Sequence, residues 1–134
     1  SNFFFEFYKY LDAIFDKNPN ISKEFHTLQV VLYAEYQRDK LLKFLQTSQY
    51  ISLTQAQKDL QEQRVLGPEI VYILERTGQL EKALEVILRS INDVNQAIEF
   101  CKRHNDEELW EILIRYSLNK PGLLFYKLIH LLIN

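Results

Sequence analysis

The chain contains no methionine, a single cysteine, three glycines and three prolines. Each shortage closes a door. With Cys101 alone, no intrachain disulfide forms, which fits a reducing compartment. With no Met in the chain, Ser1 is not expected to be a native start: it is either an added residue or the first residue of a segment of a longer parent protein, and the latter is expected. So little glycine and proline leaves few turns for an all-β fold, and no segment alternates polar and apolar residues over a strand's length. No uninterrupted apolar run is long enough to span a bilayer. FFFEFYKYLDAIF is broken by Glu6, Lys9 and Asp12, and GLLFYKLIHLLIN is short and carries Lys127 and His130. Neither sign of charge dominates. Sixteen Lys and Arg stand against 18 Asp and Glu, so a phosphate backbone meets no concentrated cation and a nucleic-acid partner is not expected.

What the sequence has is apolar residues at three- and four-residue spacing, the mark of helices burying one stripe. Phe4, Tyr8, Leu11 and Phe15 line the first. Leu53, Ala56 and Leu60 line a weaker one. Leu80, Ala83, Leu84, Ile87, Leu88 and Ile91 form the clearest stripe, followed by Val94, Ala97, Ile98 and Cys101. Ser52 to Gln55, Asp93 to Gln96 and Asn105 to Glu108 read as capping boxes. Pro68 suits a first helical position, Gly78 a left-handed helix end, and Asn119 to Gly122 a further break. The spacing predicts nine helices, at 2–17, 23–36, 38–47, 53–63, 68–77, 79–90, 93–104, 106–118 and 122–133, joined by short connections that fold each back on its predecessor.

LEVILRS (84–90) aligns with WEILIRYS (110–117), and LYAEYQRDKLLKFLQTS (32–48) with LERTGQLEKALEVILRS (74–90). These spacings are whole numbers of one helix plus its turn, which implies an all-α fold, an α-solenoid of short antiparallel helices. Isolated helices of about 12 residues are marginal in water, and burying a Leu or Ile contributes only about 1.5–3 kcal/mol. Each helix therefore needs neighbours. The helix with Leu109, Trp110, Ile112, Leu113, Ile114 and Tyr116 is apolar nearly all round and is expected to be covered on more than one side. Residues 1–134 read as one solenoid segment without caps. Phe3, Phe4, Phe5 and Phe7 at one end, and Leu123, Leu124, Leu131 and Leu132 at the other, are expected to meet further helices or a second copy.

The candidate chemistry reduces to packing. Cys101 and His104 supply two ligands where structural zinc wants four, and Cys101 lies on a buried stripe. Asp106, Glu107 and Glu108 favour the positive end of a helix dipole without any catalytic role. Glu81, Lys82, Glu85 and Arg89 read as a solvated face. The aromatic rings follow helical spacing and read as core, with the hydroxyls of Tyr33, Tyr36, Tyr50 and Tyr72 reaching water. No catalytic, cofactor-binding or metal-binding residue is assigned, no cofactor is expected, and the partner-binding residues stay unassigned.

The stretches YLDAIFDKNPNISKEFHTLQVVLYAEY, YAEYQRDKLLKFLQTSQYISLTQA and PEIVYILERTGQLEKALEVILRSINDVNQAIEFCKRHNDEELWEILIRYSLNKPG carry a family resemblance. Its most specific parts are DV-x-x-AIEF, DEELWE-x-LI and YS-x-x-KP. Together they resemble the clathrin heavy-chain-repeat region of the vacuolar protein sorting subunits of the HOPS tethering complex, over nearly the whole chain. The resemblance implies a non-enzymatic scaffold in vesicle-mediated protein transport and membrane fusion. It implies a cytosolic protein, peripheral on late endosomes and vacuoles. It also implies contacts with sister tethering subunits and adaptor proteins, and self-association. A clathrin-like coat or cargo-adaptor solenoid is the alternative from the same architecture, and an enzyme or regulatory domain with an unmarked site is the alternative from another class.

Overall fold

The computed structural model describes residues 2–18, 20, 23–120, 122 and 130. The helix expected at 122–133, with its apolar end, lies outside the described residues. Among the described residues every regular element is helical. The chain divides into two compact units, Ser1–Ile73 and Leu74–Asn134.

The first unit holds α1 (Asn2–Lys17), α2 (His26–Tyr36), α3 (Leu41–Thr47), α4 (Leu53–Glu62) and most of α5 (Pro68–Arg76). Short 3₁₀ turns at Lys23–Phe25 and Arg38–Lys40 lead into α2 and α3, so the helices expected at 23–36 and 38–47 each begin with a tighter turn. The first of the expected capping boxes is real at its N-cap: the Ser52 side chain accepts from the Gln55 amide. Pro68 opens α5 as expected.

α1 and α2 run antiparallel. Tyr8 meets Tyr36, Tyr33 meets Asp12, and Phe15 meets His26 across the pair. α2 and α4 are next-but-one neighbours and run side by side in the same sense: Thr27 accepts from the Ser52 amide at 3.2 Å, and the Gln63 side chain donates to the Val31 carbonyl at 3.1 Å. α2 thus sits among α1, α3 and α4. It is the helix covered on several sides, burying His26, Gln29, Val30, Leu32 and Tyr33.

The second unit begins with the end of α5 and holds α6 (Leu80–Val86), a π-helical turn (Ile87–Ile91), α7 (Val94–His104) and α8 (Glu107–Leu118). Gly78, at φ +78°, closes α5 in the left-handed conformation, with the Gln79 amide returning to the Leu74 carbonyl. The helix expected at 79–90 is not uniform. After Val86 it widens, and the Asn92 amide reaches back five residues to the Ile87 carbonyl at 2.8 Å. Asn92 then turns left-handed and Asp93 caps α7 by accepting from the Gln96 amide.

The cap expected at Asn105 moves by one residue. Asn105, at φ 49°, is the left-handed end of α7, and Asp106 caps α8 by accepting from the Glu108 amide at 2.9 Å. Both residues are good caps, but only Asp106 has the extended backbone an N-cap needs.

α6 and α8 again lie side by side in the same sense, with Tyr116 donating to the Leu88 carbonyl at 3.0 Å. The two segments aligned as LEVILRS and WEILIRYS are therefore equivalent positions of successive hairpins. The buried stripe of α8 is Leu109, Leu113 and Ser117, while Ile114 and Leu118 are exposed. Trp110, Ile112 and Tyr116 are half-buried, and the segment expected at 122–133 as the next helix lies outside the described residues.

Candidate interaction surfaces

Each residue weighed for chemistry falls into a structural place. Cys101 is fully buried in α7, and burial pushes its thiol up to about 11, far from a reactive thiolate. His104 turns away to Glu75, which also takes a two-pronged contact from Arg103 at 3.1 and 3.2 Å. No group of three His, Cys, Asp or Glu side chains among the described residues is placed to hold a metal ion.

In the first unit His26 Nδ1 lies 2.5 Å from Ser48 Oγ, beside a cleft also lined by Phe44 and Tyr50. The Ser48 hydroxyl also accepts from the Tyr50 amide at 3.2 Å. It fixes the turn after α3, and the imidazole stacks among Phe15, Phe44 and Tyr50. The residues around this buried histidine give no sign in the sequence that α2 is central.

A polar knot joins three elements. Asp12 of α1 accepts from the Tyr33 hydroxyl at 2.6 Å and from Lys40 Nζ at 3.0 and 3.1 Å. Burial first, then the bond to Asp12, pushes the Tyr33 phenol up. The bond to Asp12 likewise raises Lys40. Tyr33 therefore does not reach water as expected. It is 4% exposed.

The open features are apolar and charged surfaces. On α1, Phe3 is 72% exposed and Tyr10 63%, with Phe4 and Phe5 also exposed. Phe3, Phe7, Tyr10 and Ile14 recur at coiled-coil spacing, next to the stripe of Tyr8, Leu11 and Phe15 that packs inward. Phe7 meets Phe25, ring edge to face at 6.4 Å, and Leu28 lies one turn beyond. Phe25 and Leu28 are exposed too, so the patch spans α1 and the start of α2. The expected uncovered end at Phe3 to Phe5 is present. Exposed apolar side chains grouped on a helix pair make a candidate interaction surface. In the second unit the exposed side of α6 and α8 is charged: Glu85 pairs with Arg89 and Glu111 with Arg115, each one turn apart.

Helices that fold back on the next and lie parallel to the next but one define a helical-repeat protein of the TPR-like class. The chain belongs to the Vps41 family: the family described as "Vps41 TPR-like region" matches residues 5–134. It is 40% identical over 123 residues to the vacuolar protein sorting-associated protein 41 homolog of Arabidopsis thaliana, covering 92% of this chain and 12% of that protein. It is 42% identical over 112 residues to the Homo sapiens homolog, covering 84% and 13%. The Saccharomyces cerevisiae protein is 37% identical over 93 residues, covering 69% and 9%. The chain thus spans about an eighth of the plant and human relatives. No solved structure matches it.

Proposed function

We propose that this chain is a non-catalytic protein–protein interaction scaffold within a HOPS-type tethering subunit, serving vesicle-mediated protein transport and membrane fusion at the vacuole or lysosome. Its partners on this reading are sister tethering subunits and adaptor proteins. Its place is the cytosolic side of late endosomal and vacuolar membranes, held there through the complex. The 134 residues form one segment of a longer helical array. The names of the relatives, vacuolar protein sorting-associated protein 41, support the pathway. Among the described residues, no helix is long and apolar enough to cross a membrane, which accords with peripheral attachment.

The observation that carries the scaffold reading is the apolar patch of Phe3, Tyr10, Phe25 and Leu28, open on α1 and around the start of α2. A patch of this kind contributes binding energy only when covered, and aromatic anchors dominate protein interfaces. The test is capture of purified sister subunits by the immobilised chain. Aspartate at both Phe3 and Tyr10 is expected to abolish capture with helicity unchanged. Full capture by that variant would remove the reading.

A further inference from the structure

α6 and α8 lie parallel, and the groove between them has a basic end. A cleft of about 340 Å³ opens there, lined by Glu85, Arg89, Ile112, Arg115, Tyr116 and Lys120. Its three cations come from three places: Arg89 from the π turn, Arg115 from α8, and Lys120 from just past the end of α8. Tyr116 forms the floor. Its hydroxyl is tied to the Leu88 carbonyl at 3.0 Å, so the ring is held in place. Arg89 and Lys120 stand over that ring at 5.6 and 5.4 Å from its centroid. Ile112 adds an apolar wall.

Arg89 lies within the π turn, and its guanidinium stands over Tyr116. Glu85 and Glu111 hold Arg89 and Arg115, but both pairs are solvent-exposed, with side chains between 44% and 73% exposed. Exposed pairs of this kind are weak and exchange readily for a better partner. A guanidinium offers several donors, so each arginine can keep its glutamate and still donate to an incoming carboxylate.

We infer that this cleft is a binding site for an acidic peptide segment of a partner protein, with a carboxylate side chain between Arg89, Arg115 and Lys120 and a neighbouring apolar side chain against Tyr116 and Ile112. The mixture of cations with an apolar floor favours a peptide over a lipid headgroup, which offers no apolar group at that depth. Glu81, Asp106 and Glu108 lie at the far end of the same groove, about 12 Å along α6 at 1.5 Å per residue, and confine an acidic stretch to the basic end. The inference rests on the scaffold reading, but the cleft lies in the unit that does not hold α1, so a failure here and a failure of capture at Phe3 and Tyr10 are separable.

The test is a titration of the whole 134-residue chain into a fluorescein-labelled probe peptide, Asp-Glu-Asp-Leu-Leu-Glu-Asp-Glu, followed by anisotropy. Saturable binding that weakens as salt rises is expected. Arg115→Glu with Lys120→Glu is expected to weaken it more than tenfold, while Lys58→Glu on exposed α4 leaves it unchanged. Amide shifts of the wild-type chain with the probe are expected at 85–91 and 112–120, a readout independent of whether the variants fold. Absence of binding overturns the proposal. So do an equal loss on Lys58→Glu, shifts centred elsewhere, or binding of the same strength to the probe with Asn and Gln in place of its acids. Preferential binding to vesicles containing phosphatidylinositol phosphate, reduced by the same double substitution, would assign the cleft to a lipid and also overturn it.

Discussion

At the scale of single residues, Asp12 shows how a polar side chain holds helices in register. It accepts from Tyr33 and Lys40 with its carboxylate largely shielded, at 18% side-chain exposure. Hydrogen bonds to a charged group contribute about 1.5–3 kcal/mol, and removing one partner strands the others. Asp12→Asn is therefore expected to cost about 1–3 kcal/mol in chemical unfolding, whereas Tyr33→Phe, which leaves Lys40 to serve Asp12, costs less. Equal losses would place the energy in Tyr33 alone. A carboxyl of the opposite kind is Glu108, whose proton is held more tightly than usual. The bond to Glu81 is the main cause, followed by repulsion from Glu81 and Asp106. A carboxyl raised in the folded state stabilises the fold while protonated, and that contribution is lost as pH rises through the folded value. Glu81→Gln is thus expected to raise the thermal midpoint at neutral pH and to lose this advantage as the solution is acidified through the carboxylate range. A midpoint difference that is constant with pH would show that the pair does not interact.

At the scale of elements, the sequence pattern disclosed most of the helices because their stripes and caps agree. Ser52 and Asp93 cap where their spacing implies, and Gly78 ends α5 as a residue without Cβ should. The departures have local causes. Asn105 and Asp106 are both competent caps, and only the backbone decides which closes α7 and which opens α8. Arg64 takes the left-handed position after α4, at φ 59°, where composition gives no hint. The π turn at Ile87–Ile91 leaves an apolar spacing that still reads as helix, since it ends the helix and no later helical residue displays the shifted face. Phe100 is fully buried although it lies off the stripe of Val94, Ala97, Ile98 and Cys101. A helix packed on two sides buries a wider arc than one stripe reveals. Ala97 tests the packing of this helix. It has no exposed surface and lies on the side of α7 that meets its neighbours. Ala97→Trp is expected to cost about 1–3 kcal/mol or more by overpacking. An unchanged melting temperature would mean that α7 and α8 do not cross closely there.

At the scale of the whole molecule, the surfaces matter more than the core, and these were only partly legible. The open aromatic end showed in the run Phe3 to Phe5, because charged or polar residues would stand there if α1 faced water on that side. The participation of Phe25 and Leu28 did not show, since the packing of α1 on α2 decides which side chains border the patch. The basic cleft was hidden for the same reason. Arg89, Arg115 and Lys120 are scattered in sequence, and the parallel placement of α6 and α8 gathers them. An uncovered aromatic stripe at coiled-coil spacing is self-complementary, because two antiparallel copies of α1 bring the same residues against each other. Without a sister subunit the chain is therefore expected to associate with itself, its weight-average mass rising with concentration in sedimentation equilibrium. Aspartate at Phe3 and Tyr10 is expected to return it to a monomer, since burying two carboxylates against a second helix costs more than the remaining rings recover. A strict monomer across micromolar to millimolar wild-type protein would show that this face is too small to hold a second copy. The capture of sister subunits would then depend on contacts beyond α1.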